Sequence, residues 1–163
     1  MREERTDVLI VGAGPVGLWA ALLLAKAGVE VAIIDQEART AARSYACALH
    51  PPTLDLLDRL GLVEPLLARG RRVSSFAFYE GQSRRAELNF AALGGRFPFL
   101  LILPQNELEA ALEAELRQAG VSVHWNHRLD SLQTEPEAVV ATVEELGGTA
   151  TGYIVPHWET VVK

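Results

Sequence analysis

Sulfur is nearly absent from the sequence. One cysteine, Cys47, and one methionine are all it holds in 163 residues. A single thiol rules out an intrachain disulfide and any multi-cysteine metal site, and a reducing cytoplasm fits that usage. An excess of positive charge is missing too. The formal net charge is −6 and the pI about 5.2, which argues against nucleic acid as a main partner. The Arg69, Arg71, Arg72 cluster reads as a solvated loop between a helix and a strand. Long hydrophobic runs are absent. The apolar helical stretch Leu18 to Ala25 meets Lys26, far short of the roughly 20 residues of a membrane span. At the N-terminus, Glu3, Glu4 and Asp7 spoil the basic region that Arg2 and Arg5 would give a signal peptide. No membrane anchor is expected. Ser44 and Ser83 have no His–Asp context, so hydrolase chemistry has no support.

What is present is an ordinary globular composition, 49% apolar and 22% charged, with length enough for one domain and a proper core. The chain is organised around Asp7 to Asp35. Val8 to Val11 is a continuous apolar run, suited to a parallel strand buried on both faces. Gly12, Gly14 and Gly17 follow at G-x-G-x-x-G spacing, then an apolar helical run, Leu18 to Ala27, closed by Gly28. A second apolar strand, Val29 to Ile34, ends in Asp35. Each glycine has a mechanical reason. Gly12 makes the tight turn, Gly14 lets a pyrophosphate approach the backbone, and Gly17 lets the helix pack on the strand. The helix N-terminus offers free N–H groups and partial positive charge to that pyrophosphate. Asp35, 18 residues after Gly17, stands where an acid holds a ribose hydroxyl. Strand, glycines, helix, strand and acid in this order point to a dinucleotide site. The bland alternative is a glycine-tolerant turn without a ligand.

Downstream, Gln36 to Ala48 reads as a loop. Pro51-Pro52 precedes a helix over Thr53 to Leu60, stopped by Gly61, and Glu64 to Ala68 adds one more turn. Val73 to Tyr79 and Arg85 to Phe90 suggest a hairpin around Gly81-Gln82. Phe97 to Leu103 is apolar and ends at Pro104. Gln105 to Ala119 is a clear helix, and Val121 to Trp125 returns as a strand. Leu129 to Thr134 and Ala138 to Glu144 read as paired strands turning at Glu135-Pro136-Glu137. Thr151 to Val162 is β-rich, although Pro156 would interrupt a central strand. The fold class expected is α/β: a Rossmann-like βαβ unit with an antiparallel β-meander addition.

Three stretches carry a family resemblance. They are VGAGPVG (Val11 to Gly17) with IID (Ile33 to Asp35), RSYACALHPPTLDLLDRLGL (Arg43 to Leu62), and FPFLLILPQNELEAALEAEL (Phe97 to Leu116). Together they make the sequence resemble the FAD-dependent aromatic-ring hydroxylases, the class A flavoprotein monooxygenases. The first motif is shared by many flavin and nicotinamide enzymes; the second and third are more specific. The resemblance implies a glutathione-reductase-type FAD fold. It implies cofactor-binding roles for Gly12, Gly14, Pro15, Val16 and Gly17 at the pyrophosphate, and for Asp35, where the family often has Glu, with Gln36 beside it. Arg43 is the implied pyrophosphate arginine, with Tyr45 the alternative occupant of that position. Gln105 is implied on the flavin side, and Leu129, next to Arg128, on the adenine side. The family's second fingerprint is not found, since Tyr153-Ile154-Val155 is followed by PHWETVVK. The expectation is therefore that residues 1–163 are the N-terminal portion of one incomplete FAD-binding domain. On this expectation the substrate domain and the remaining FAD motifs are absent from the chain.

By resemblance, the intact enzyme uses FAD, NAD(P)H and O2 to hydroxylate a small aromatic substrate. No residue present is a dedicated acid, base or nucleophile. Three alternatives remain beside this one. They are another FAD oxidoreductase of halogenase, isoprenoid-reductase or cyclase type, a truncated chain without activity, and an NAD-only Rossmann domain. Other conspicuous residues have plain readings. His50 precedes a helix. His124 and His127, three apart on a strand, would face opposite ways and hold no metal. His157 with Glu159 is a solvated pair. Cys47 is a small buried residue, and Trp19 belongs to the core.

Overall fold

The computed structural model describes residues 2–38, 45–147 and 151–156. The chain opens with β1 (Arg2–Arg5), β2 (Val8–Val11), α1 (Pro15–Lys26) and β3 (Val31–Asp35). Its middle runs β4 (Ala46–Leu49), α2 (Pro51–Arg59), α3 (Val63–Arg69), β5 (Arg71–Val73), β6 (Ser75–Glu80) and β7 (Ser83–Asn89). A 3-10 turn, Phe90–Leu93, leads to β8 (Leu100–Pro104). Then come α4 (Gln105–Gln118), β9 (Val123–Trp125), β10 (His127–Thr134), β11 (Ala138–Glu145) and β12 (Thr151–Pro156). Two compact units result, one from residues 1–42 and 112–163, the other from residues 43–111.

In the first unit, β2, β3 and β9 form a parallel sheet in that order. The central strand is β3, with Val31, Ala32, Ile33 and Ile34 all buried. The expectation that Val8 to Val11 is buried on both faces is corrected. Strand β2 lies at one side of the three, half-buried, and Val11 is 55% exposed. Helix α1 starts at Pro15 rather than Leu18, because proline's fixed φ suits the first helical position, where the N–H it lacks would have had no partner within the helix. Its buried face is Leu18, Ala21 and Leu22. Gly28, at φ +80, ends it in the left-handed conformation that glycine adopts freely.

The second sheet of this unit runs β1-β12-β11-β10. The expected meander is there, with β10, β11 and β12 antiparallel. Its first turn closes by the Glu135 N–H donating to the Ala138 carbonyl at 2.8 Å. Pro156 is the last residue of β12, opposite Ala138 and past the stretch that pairs with β1, so it breaks no ladder there. Strand β1 was not foreseen. The sequence REER carries no apolar alternation, and its extended form comes from pairing in parallel with Thr151 to Ile154. Ala141 and Val143 of β11 pack with Ala32 and Ile34 of β3, flanked by Leu9 and Leu129. Burying side chains of this size contributes about 1–3 kcal/mol each. That contact sets β10 beside the carboxyl end of β3.

In the second unit, β4, β8 and β5 form an antiparallel sheet. The expected loop Gln36 to Ala48 is corrected at its far end: Ala46 to Leu49 pair with Leu101 to Pro104. Residues 39–44 lie outside the described residues. Helix α2 begins at Pro51, with Gly61 (φ +74) past its end, and Val63 to Arg69 form a separate helix rather than one added turn. The arginine cluster is not a loop. Arg69 closes α3 and pairs with Glu107 at 3.0 Å, and Arg71 and Arg72 lie in β5. The Arg72 guanidinium sits 5.1 Å above the Phe99 ring. The strand expected over Val73 to Tyr79 splits at Ser74, whose carbonyl accepts from the Phe90 N–H at 2.7 Å. The hairpin β6–β7 is real, with a bulge at Phe78/Tyr79.

Candidate functional site: the glycine loop

The loop between β2 and α1 lies at the carboxyl ends of three parallel strands, the side on which open α/β sheets receive ligands. Gly12 turns the chain at φ +103, a conformation other residues adopt only with strain, and its N–H donates to the Ile34 carbonyl at 2.8 Å. Gly17 is required by contact. A Cβ there would stand 1.9 Å from the Gly12 carbonyl oxygen, so helix and loop could not approach this closely. Gly14 is different. Its φ of −71° suits any residue, and a Cβ would meet nothing within 4 Å. The fold gives no reason for glycine at this position, whereas a ligand resting on the backbone does.

The first turn of α1 has no side-chain cap, so its leading N–H groups stay available to an anion. Pro15 opens the turn, and Val16 is 83% exposed beside it. Asp35 ends β3 with both carboxylate oxygens engaged. Oδ2 accepts from the Ala13 N–H at 2.6 Å, and Oδ1 accepts from the Glu37 N–H at 2.8 Å.

A cleft of about 280 Å³ adjoins the loop, and Gly12, Asp35, Gln36, Arg128 and Leu129 line it with Val11 and His127. Asn126 makes this possible. It takes the left-handed conformation (φ +59), its N–H donates to the Glu37 carbonyl at 2.8 Å, and its carbonyl accepts from the Leu146 N–H at 2.7 Å. The chain thereby turns from β9 into β10 next to Asp35. The expected opposition of His124 and His127 is corrected by the same turn: their rings meet edge to face at 5.6 Å. His127 was missed as a lining residue. Its Nδ1–H donates to the Trp125 carbonyl at 2.7 Å. Arg128 pairs with Glu144 at 2.6 Å. Among the described residues, no group of three or more His, Cys, Asp or Glu is placed to hold a metal ion.

A larger cleft, about 450 Å³, opens at the amino ends of the same strands, where Thr6, Glu30, Gly120 and Ser122 line it. Size favours it and chemistry does not. It has no glycine loop, and it lies away from the end where strand and helix termini converge on a ligand.

The remaining expected residues belong to the second unit. Gln105 opens α4; its N–H donates to the Tyr45 carbonyl at 2.8 Å, and its Nε2 donates to Glu109 at 2.8 Å. The assignment to Arg43 lies outside the described residues. The alternative, Tyr45, is 68% exposed. Cys47, on β4, is half-buried. Burial pushes its thiol above the ordinary value, a backbone hydrogen bond opposes that shift, and the nearby Glu109 adds to it. His50 precedes α2 and its side chain caps nothing.

Comparison with known proteins decides the family. The family model described as FAD binding domain matches residues 5–155. The chain belongs to the FAD binding domain family. It is 33% identical over 152 residues to para-nitrophenol 4-monooxygenase of a Pseudomonas species, covering 91% of this chain and 38% of that protein. It is 40% identical over 125 residues to 6-methylpretetramide 4-monooxygenase of Streptomyces rimosus, covering 76% of this chain and 22% of that protein. The solved structure of p-nitrophenol 4-monooxygenase from Pseudomonas putida superposes with a TM-score of 0.83 at 30% identity. That match covers 94% of this chain and 40% of the other. This FAD binding domain thus spans well under half the length of the relatives it matches. Among its described residues, no helix is long and apolar enough to cross a membrane.

Proposed function

We propose that the chain binds the adenosine diphosphate half of FAD at the glycine loop, as part of a flavin-dependent monooxygenase. Gly14 carries the proposal, since its missing Cβ answers no need of the fold. The pyrophosphate rests on the Gly12–Gly17 backbone and the uncapped start of α1. Asp35 keeps lone pairs beyond those turned to Ala13 and Glu37, and offers them to the ribose. Gln36 and Leu129 flank the adenosine in the 280 Å³ cleft. Gln105 takes the flavin-side role that the family likeness implies, and Arg43 the pyrophosphate role. Both units count as the N-terminal portion of one Rossmann-like domain of glutathione-reductase type, a reading supported by the parallel β2-β3-β9 order and the meander.

Held by the glycine loop, Asp35 and Gln36, FAD would supply hydride acceptance from NAD(P)H and O2 activation for hydroxylation of an aromatic ring. The residues described here bind and orient that cofactor and exclude water from its adenosine end. The monooxygenase names of the relatives support the substrate class. A cytoplasmic setting goes with the single thiol.

Titration of the purified chain with FAD, followed by flavin fluorescence, tests the proposal. Saturable binding lost on Asp35→Ala and Gly14→Val is the expected result. A folded chain that binds neither FAD nor ADP would refute it.

A further inference from the structure

The 280 Å³ cleft beside the glycine loop is bordered by the side chains of Asp35, Gln36, His127 and Arg128. They differ in what they can ask of a ligand. Arg128 only donates, and its guanidinium is drawn at 2.6 Å to Glu144, its cross-strand neighbour on β11. Asp35 only accepts, and each of its oxygens already takes a backbone N–H. Gln36 carries a carbonyl and an NH2 on one amide and can present either. It selects nothing unaided. His127 is the remaining one, and the function proposed above gives it no task.

The backbone decides the chemistry of that ring. His127 Nδ1 lies 2.7 Å from the Trp125 carbonyl oxygen. A carbonyl oxygen only accepts, so the proton of the neutral imidazole sits on Nδ1. Nε2 is then an acceptor with no proton to give. Turning the ring over would put a carbon where Nδ1 stands and lose the bond to Trp125. The His124 ring, edge to face at 5.6 Å, bounds it on another side. Asn126, at φ +59, reverses the chain between Trp125 and His127 and so keeps the carbonyl within reach of the ring.

An acceptor of fixed polarity distinguishes purines. Adenine carries an exocyclic amine, which donates. Hypoxanthine carries a carbonyl in its place, which only accepts. Facing Nε2, the amine gains a hydrogen bond, whereas the carbonyl sets one lone pair against another.

We propose that His127 selects adenine, its Nε2 accepting a hydrogen bond from the exocyclic amine of the base. The inference rests on the reading of this cleft as the adenosine site. Every residue it uses lies in the first unit, and it asks nothing of the flavin end of the cofactor.

ADP and inosine diphosphate test this on the whole chain by calorimetry, at about pH 8, where imidazoles are ordinarily neutral. The two ligands share ribose and pyrophosphate and differ only at one edge of the base. The wild-type chain should bind ADP about tenfold more tightly than inosine diphosphate. His127→Phe keeps a ring against His124 and removes both nitrogens. In that variant ADP should weaken about tenfold while inosine diphosphate stays within about twofold of wild type. A merely structural role for His127 would weaken both ligands alike.

Equal wild-type affinities for the two ligands would overturn the inference and leave the glycine-loop reading intact. A preference for ADP that survives in His127→Phe would overturn it too, and would pass the selection to Gln36 or to the backbone at Leu129. A folded wild-type chain that binds neither ligand would remove the adenosine reading and this inference with it. Should the variant fail to fold, nitrogen NMR of the wild-type ring decides. A protonated Nδ1 and a bare Nε2 are expected, the Nε2 resonance moving on addition of ADP and not of inosine diphosphate. A proton on Nε2, or no response to ADP, would overturn the proposal.

Discussion

Asp35 Oδ2 accepts a hydrogen bond from the Ala13 N–H at 2.6 Å. The acid assigned to the ribose is thus already tied to the glycine loop, before any ligand arrives. Its other oxygen accepts from the Glu37 N–H, so one carboxylate braces the chain on both sides of the cleft. The proposed ribose contact and the loop geometry would share a single side chain.

That sharing predicts a stability effect without cofactor. An asparagine at this position has one acceptor oxygen for two N–H donors, and its NH2 would face the other. Asp35→Asn should lose about 1–3 kcal/mol, lowering Tm by several degrees. Thermal unfolding of the ligand-free chain checks this, and amide exchange at Ala13 should speed up in the variant. An unchanged Tm would mean that the bond to Ala13 does not hold the loop in solution.

The glycines should separate cleanly. Gly17→Ala places a Cβ against the Gly12 carbonyl oxygen, which is backbone and cannot swing aside. The loss should be roughly 3 kcal/mol or more. Gly14→Ala meets open space and should stay within about 0.5 kcal/mol of wild type, while FAD affinity falls by about tenfold or more. Denaturant midpoints and fluorescence titration together read both quantities. Equal destabilisation by the two substitutions would remove the argument for a ligand at Gly14.

Cys47 should behave as a protected thiol. Its folded value is raised from the ordinary 9.0, chiefly by burial and further by Glu109. An acid held protonated by the fold favours folding fully below its unfolded value. That contribution is lost as pH rises from 9.0 through the higher folded value. Reaction with a disulfide reagent near pH 8 should therefore be at least several-fold slower for the native chain than for the denatured one. Equal rates would show the thiol open to solvent.

Two phenylalanines of the second unit make a contrast. Phe97 is 4% exposed with Arg96 stacked 5.1 Å above its ring, and its replacement by alanine should cost about 3–5 kcal/mol. Phe78, on the hairpin, is 51% exposed and meets Phe76 edge to face at 5.2 Å. Phe78→Ala should cost only about 1 kcal/mol. Urea unfolding of the two variants measures the difference, and a larger loss at Phe78 would show that something covers the hairpin in solution.

Much of the site could be read from the sequence because its signals are local. Glycine spacing, an apolar strand and an acid at the next strand's end lie within residues 8–35, and the structure brings Gly12, Asp35, Gln36 and Leu129 to one cleft. What escaped notice depends on partners distant in sequence. Arg2 to Arg5 has no strand pattern of its own and is extended by β12. Ala46 to Leu49 looks like a loop because its small residues carry no β preference, yet β8 pairs with it. The His124–His127 contact turns on the backbone of Asn126, and asparagine's tolerance of positive φ was the one available hint. Glu109 reads as one more surface acid of a helix until its burial is seen.

The pairing of β1 with β12 also has a consequence for synthesis on the ribosome. The second unit is one continuous segment and can close as soon as residue 111 has emerged. The first unit cannot, since Arg2 to Arg5 must wait for Thr151 to Ile154 to be made. Until then the glycine loop rests on a half-built scaffold, and a strand made before the second unit finds its partner only after that unit is complete.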